Sequence, residues 1–195
     1  MSTGILIAIL ALLALASGAW WFVNVNVRGR PLQIKLQVGE RLPDFAAEDE
    51  AGNAVNSAQL HGKPAVLLFI RGNWCPFCNR QVEDLTRYYK EINELGARLI
   101  FFTPKPLGTT RRVAQMFGVD FEFWLDAELA AAHELGLVHQ GGVPGKQQPN
   151  YGQDTIWPTA LVCDADGVVR HISQSKRIVD RPDPAQLLSA LRSLA

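Results

Sequence analysis

Excess charge of either sign is what this chain most plainly lacks: 19 basic residues balance 19 acidic ones over 195 positions. Without a one-signed field, and with no basic patch interleaved with aromatics, no nucleic-acid partner is expected. Cysteine is scarce too, at three residues, too few for a disulfide-stapled scaffold. No second Cys pair or Cys/His cluster completes a set of four zinc ligands, and His61, His133, His139 and His171 are scattered without ligand spacing. Neither a metal nor an organic cofactor is therefore expected. Internal repeats are missing, as are low-complexity tracts beyond the N-terminal apolar run. A composition that is 48% hydrophobic and 19% charged excludes broad disorder and leaves room for one packed core.

What the chain does have is a charge-free run at residues 4–23, dominated by Leu, Ile and Ala. About 20 helical residues cross a hydrocarbon core of roughly 30 Å. Trp20, Trp21 and Phe22 close the run, where aromatic rings favour a membrane interface. A cleaved signal peptide is the competing reading, since Ser17-Gly18-Ala19 offers small residues to a peptidase; Met1-Ser2-Thr3, however, lacks the basic residues of an n-region. The expected organisation is a single-pass anchor to the cell membrane over residues 1–23, a tether over 24–38 and one soluble domain over 39–195. Arg28, Arg30 and Lys35 follow the span, which by the positive-inside rule places the soluble domain in the cytoplasm, whereas disulfide chemistry suits an oxidising space such as the periplasm. The side stays open.

In the soluble part, Gly52-Asn53 reads as a hairpin turn and Ala65–Ile70 as a strand buried on both faces. Apolar positions at Cys78, Val82, Leu85, Tyr89, Ile92 and Leu95 predict one helix over Pro76–Leu95, stopped by Gly96. A strand at Leu99–Phe102, a helix at Thr110–Phe117 and a strand at Phe121–Leu125 continue the alternation. After a Gly- and Pro-rich loop over 141–152, Thr159–Cys163 and Val168–Ser173 form a hairpin through Asp164-Ala165-Asp166-Gly167. Asp183 caps a last helix with Pro184 at its first position and Leu187, Leu188, Leu191 and Leu194 on its core face. Such alternation implies parallel crossovers, hence an α/β fold with a central mixed sheet flanked by helices.

The chemistry gathers at Arg71-Gly72-Asn73-Trp74-Cys75-Pro76-Phe77-Cys78, a strand-to-helix junction. Proline is tolerated best at the first helical position, so Cys75 falls at the N-terminus, where the dipole and unpaired N–H groups lower a thiol pKa of about 8.5 toward roughly 3.5–7.5. Cys75 is the expected nucleophile. Cys78, three residues on, lies about 5 Å away between Cα atoms, within disulfide reach, and would resolve a mixed disulfide. Arg71 and Arg80 are candidate stabilisers of the thiolate, or plain solvated charges. Trp74 would shield the disulfide and help dock a partner. Cys163, in an apolar strand, reads as a small core residue.

These residues carry a resemblance. Leu42-Pro43-Asp44-Phe45, the stretch Leu67 to Cys78, Leu95-Gly96-Ala97 and Pro158 to Gly167 are similar to the alkyl hydroperoxide reductase/thiol-specific antioxidant family, the peroxiredoxin-like branch of the thioredoxin superfamily. The resemblance implies a thioredoxin-like fold and antioxidant-type thiol chemistry whose only redox group is the Cys75–Cys78 disulfide. It also implies a cis-proline facing the cysteines, at Pro158 after Trp157; these two, with Trp74, Pro76 and Phe77, make the expected substrate-binding set. The family's peroxidatic motif Pro-x-x-x-Thr-x-x-Cys, laid on this chain, puts its Cys on Cys78, its Thr on Cys75 and its Pro on Arg71. The proton-relaying Asp of thioredoxins falls on Phe69, and the Pro76-Phe77 dipeptide resembles that of glutaredoxins. The expected activity is thiol–disulfide exchange with a dithiol protein or glutathione as electron donor or acceptor. The alternatives are a peroxidase using the same pair, and a non-enzymatic, membrane-tethered redox-sensing or interaction module.

Overall fold

The computed structural model describes residues 3–26, 34–104, 121–177 and 179–194. The expected helix at Thr110–Phe117 lies outside them. The chain falls into two units: helix α1 (Thr3–Asn26) belongs to the first, and the sheet with its helices makes the second. Thr3–Asn24 is long and apolar enough to cross a membrane, at about 33 Å for 22 residues rising ~1.5 Å each. Ile5, Leu10, Leu15 and Trp20 are all exposed, so this helix has no single apolar face to lay on a core.

In the second unit, a seven-stranded sheet contains β1 (Ala46–Glu48), β2 (Ala54–Asn56), β3 (Ala65–Phe69), β4 (Arg98–Thr103), β5 (Glu122–Leu125), β8 (Thr159–Cys163) and β9 (Val169–Gln174) in the order β2-β1-β5-β4-β3-β8-β9. A separate two-stranded piece pairs β6 (Val138–His139) with β7 (Thr155–Ile156). β3 runs parallel to β4 and antiparallel to β8, with Ala65 opposite both Arg98 and Cys163. Flanked on both edges and covered on both faces, β3 is apolar at every position, and its pleat divides the core in two. Val66, Leu68 and Ile70 pack with Cys75, Cys78, Val82 and Leu85 and with Leu187, Leu188 and Leu191 of α6 (Pro184–Arg192). Ala65, Leu67 and Phe69 pack with Phe102, Trp124 and Leu161 and with Leu135 of α4 (Ala130–Leu135). Asp183 caps α6 as expected, its side chain accepting from Ala185 N at 2.9 Å.

Two expectations need correction. The single helix over Pro76–Leu95 is broken into α2 (Pro76–Thr86) and α3 (Tyr89–Glu94). At the break, Arg87 N and Tyr88 N donate to carbonyls three residues back, on Asp84 and Leu85, which tightens the turn and re-aims the chain. Ile92 still reaches the core and Tyr89 meets Phe121 edge-on at 5.2 Å, so the apolar spacing fits a broken helix as well as a straight one. The 141–152 loop also contains a turn of helix, α5 (Gln148–Tyr151), closed by Gly152 at φ +73°. Ahead of the sheet, Lys35 N donates to Leu135 O and Gly39 N to Val169 O, while Ile34 and Leu36 pack on the α4-side core.

Candidate active site

β3 delivers the chain to the site. Ile70 N is the last to bond the sheet, to Phe102 O at 2.9 Å, and the backbone then leaves through Arg71–Trp74. Gly72 turns it at φ +122°, and a Cβ there would stand 3.1 Å from Trp74 Nε1, so both conformation and space call for glycine. Cys75 is the extended N-cap of α2 with Pro76 in the first turn, and its carbonyl accepts from Cys78 N and Asn79 N at 3.0 and 3.2 Å. The β6–β7 connection braces this loop. Tyr151 donates its hydroxyl to Asn73 Oδ1, Thr155 Oγ1 donates to Arg71 O at 2.8 Å, and Arg71 donates to Gly142 O.

Both sulfurs are buried, each residue retaining 1% exposure, and a guanidinium sits on them: Arg181 Nη2 is 3.0 Å from Cys75 Sγ and 3.2 Å from Cys78 Sγ. The two thiols then separate electrostatically. Cys75 falls from 9.0 to about 5, chiefly because the Cys78 side chain hydrogen-bonds its thiolate; burial opposes this, and the charge of Arg181, the Cys78 N–H and the charge of Arg71 add to it. Cys78 is driven well above the usual thiol range, first by burial and then by the same Cys75 hydrogen bond. One sulfur is a thiolate at neutral pH and its neighbour a thiol. Cys163, pushed up to about 12 by burial and by Asp164, is a packed core residue of β8.

Around the pair, Trp74 is half-buried, while Pro76 and Phe77 are exposed. The Arg71 guanidinium lies 4.8 Å from the Trp74 ring and that of Arg181 5.6 Å from the Phe77 ring. Arg80 is exposed and pairs with Asp84 at 3.9 Å. Trp157 is buried and stacks on His139 at 4.0 Å; Pro158 is buried beside it. The expected cis-proline is corrected: no cis peptide bond occurs among the described residues, Trp157–Pro158 included. Trans is the lower-energy isomer by about 0.5–1 kcal/mol. Here it carries the chain from β7 into β8, with Trp157 N bonded to Leu137 O and Pro158 O to Ser175 N.

Arg181 is the functional group that sequence reading misses. It stands 106 residues from Cys75 in an unpatterned stretch, and its only signal is position, an arginine directly ahead of the Pro182-Asp183-Pro184 helix start. Among the described residues no group of three or more His, Cys, Asp or Glu is arranged to hold a metal ion.

The sequence profile of the AhpC/TSA family matches residues 38–172. The chain is 28% identical over 132 residues to the thiol-disulfide oxidoreductase ResA of Halalkalibacterium halodurans, covering 67% of this chain and 72% of that protein. Over 137 residues it is 22% identical to the peroxiredoxin Bcp of Escherichia coli, covering 70% and 85%. Its fold matches the crystal structure of peroxidoxin BcpB from Mycobacterium tuberculosis with a TM-score of 0.65 at 21% identity, over 82% of this chain and 99% of that one.

Proposed function

This chain belongs to the AhpC/TSA family, and from that premise we propose that it exchanges disulfides through Cys75 and Cys78, with a protein dithiol or glutathione as its redox partner. It is a thiol-based oxidoreductase, and its relatives divide between disulfide exchange and peroxide reduction. The observation that carries the choice is the division of labour between the sulfurs: the one at the head of α2 is the acidic one. In this reading the Cys75 thiolate attacks a partner disulfide and forms a mixed disulfide, and the departing partner thiolate takes a proton from water. Cys78 then attacks Cys75 Sγ as its proton passes to the departing partner sulfur, which releases the second partner thiol and leaves the Cys75–Cys78 disulfide. In the reverse direction the same steps reduce the pair. Trp74, Pro76 and Phe77 supply the docking rim; Trp157 and Pro158 are buried and add no exposed surface to it.

Peroxide reduction is disfavoured by the residues themselves, since Cys75 and Arg71 occupy the positions of the peroxidatic Thr and Pro. The full-length chain in detergent should therefore react faster with a disulfide substrate than with hydrogen peroxide when second-order rates are compared. A peroxide rate far above that of an unactivated thiol would reverse the ranking.

We further place the protein on a membrane through residues 4–23 as a single-pass anchor. The chain should stay with the membrane fraction through carbonate extraction. Recovery in the soluble fraction with a mature N-terminus near Trp20 would instead identify a cleaved leader.

A further inference from the structure

Disulfide exchange by itself leaves the direction of electron flow open. Building on that reading, we propose that Arg181 is a positioning residue that sets the reduction potential of the Cys75–Cys78 pair, holding its reduced form and biasing the protein toward accepting electrons. The geometry is specific. One guanidinium nitrogen reaches both sulfurs, at 3.0 and 3.2 Å, and such a nitrogen carries two hydrogens, one for each acceptor. The group is held where it is needed: its central carbon lies 5.6 Å from the centre of the Phe77 ring, and two residues later Asp183 caps α6, whose Leu187, Leu188 and Leu191 are fixed in the same core cluster as the two cysteines.

A contact shifts an equilibrium only if it differs between the two states. In the disulfide neither sulfur is charged. In the dithiol state Cys75 is a thiolate, and a charge-assisted hydrogen bond to it is about twice as strong as a neutral one. Arg181 therefore favours reduction. The step balances as follows: a partner dithiol gives up two electrons and two protons and closes its own S–S bond, while the Cys75–Cys78 bond opens. One proton stays on Cys78 Sγ, the other goes to water, and Cys75 remains a thiolate on Arg181. Lowering a thiol from 9.0 to about 5 favours the reduced state roughly 100-fold at pH 7. The Cys78 hydrogen bond is the largest cause of that fall, and of the two charge effects on Cys75 that of Arg181 is larger than that of Arg71.

The test is equilibration of the full-length chain in detergent with mixtures of reduced and oxidised glutathione, for wild type, Arg181→Gln and Arg181→Lys. Arg181→Gln should shift the balance toward the protein disulfide at least tenfold, about 30 mV for a two-electron couple. Its thiolate titration, followed by ultraviolet absorbance, should move up in pH. Arg181→Lys should shift the balance less, because the ammonium keeps the charge without the planar fork. A purely structural arginine would lower the melting temperature equally in both redox states and leave the glutathione balance alone; a balance within twofold of wild type in Arg181→Gln overturns the proposal. Should Arg181→Gln not fold, Arg181→Met, which also removes the charge from a long side chain, decides, and an unmoved balance there overturns it equally. A wild-type pair that equilibrates neither with glutathione nor with a dithiol such as dithiothreitol would sink the exchange reading and this proposal with it, whereas an equilibrating wild type beside an unmoved variant sinks this proposal alone.

Discussion

Cys75→Ser is expected to slow disulfide exchange by roughly two to three orders of magnitude at neutral pH, because the sulfur left behind is a buried thiol whose thiolate fraction there is below about 1 in 100. Burial, the largest cause of its raised pKa, is unchanged in this variant and keeps the proton on Cys78, so it cannot take over the attack. Cys78→Ser should behave in the opposite way. The serine hydroxyl still offers a donor to Cys75, and Arg181 and Arg71 still lie on its thiolate side, so attack proceeds while release does not. Mixed disulfides with the substrate should then accumulate and be visible as a mass increase on non-reducing analysis. If the peroxidatic alignment governs instead, attack belongs to Cys78: Cys78→Ser would lose dimedone-trappable sulfenic acid and Cys75→Ser would keep it. Abundant mixed disulfides in Cys75→Ser would refute the assignment of roles.

The second large effect is on stability. The folded pKa of Cys75, about 5, lies below the unfolded value of 9.0, so the thiolate stabilises the reduced fold. The full contribution is present above pH 9, declines by about 1.4 kcal/mol per unit as the pH falls, and is gone below pH 5. At pH 7 it is on the order of 2–3 kcal/mol, a large share of an ordinary domain's stability. The raised pKa of Cys78 acts in the other direction only above the unfolded thiol value, where ionisation on unfolding favours the open chain. Denaturant unfolding of the reduced wild type and of Cys75→Ser, compared from pH 5 to 8, should show a gap that widens with pH. A constant gap would mean that Cys75 is an ordinary thiol.

The sequence discloses those parts of this structure that local chemistry dictates. The apolar run of β3, the Asp183 cap with its following proline and the Asp164–Gly167 turn each depend on neighbours within a few residues, and each is where the pattern puts it. The placement of Cys75 ahead of Pro76 at the head of α2 is legible for the same reason. What escapes is whatever depends on distant partners. The break at Arg87–Tyr88 involves no proline or glycine and preserves the apolar spacing on both sides, so nothing in the pattern marks it. The trans Trp157–Pro158 bond is the intrinsic default of an X–Pro dipeptide, and the cis form comes only from the family resemblance. Arg181 could not be chosen over Arg71 or Arg80 because closeness in sequence favours the other two, while the fold turns Arg80 to solvent and gives an Arg71 N–H to Gly142.

That same distance gives the protein a timetable. β3, which aims the reactive loop, is completed by β8, so its antiparallel edge stays open until the chain has grown past Cys163. The guanidinium arrives later still, from a residue 106 positions beyond Cys75. Until that loop closes, Cys75 lacks the guanidinium that bridges it to Cys78. A nascent chain therefore emerges without the share of thiolate stabilisation that Arg181 supplies, which is added only with the last contacts of folding. Copies that end before Arg181 would lack that share and hold their thiolate less firmly.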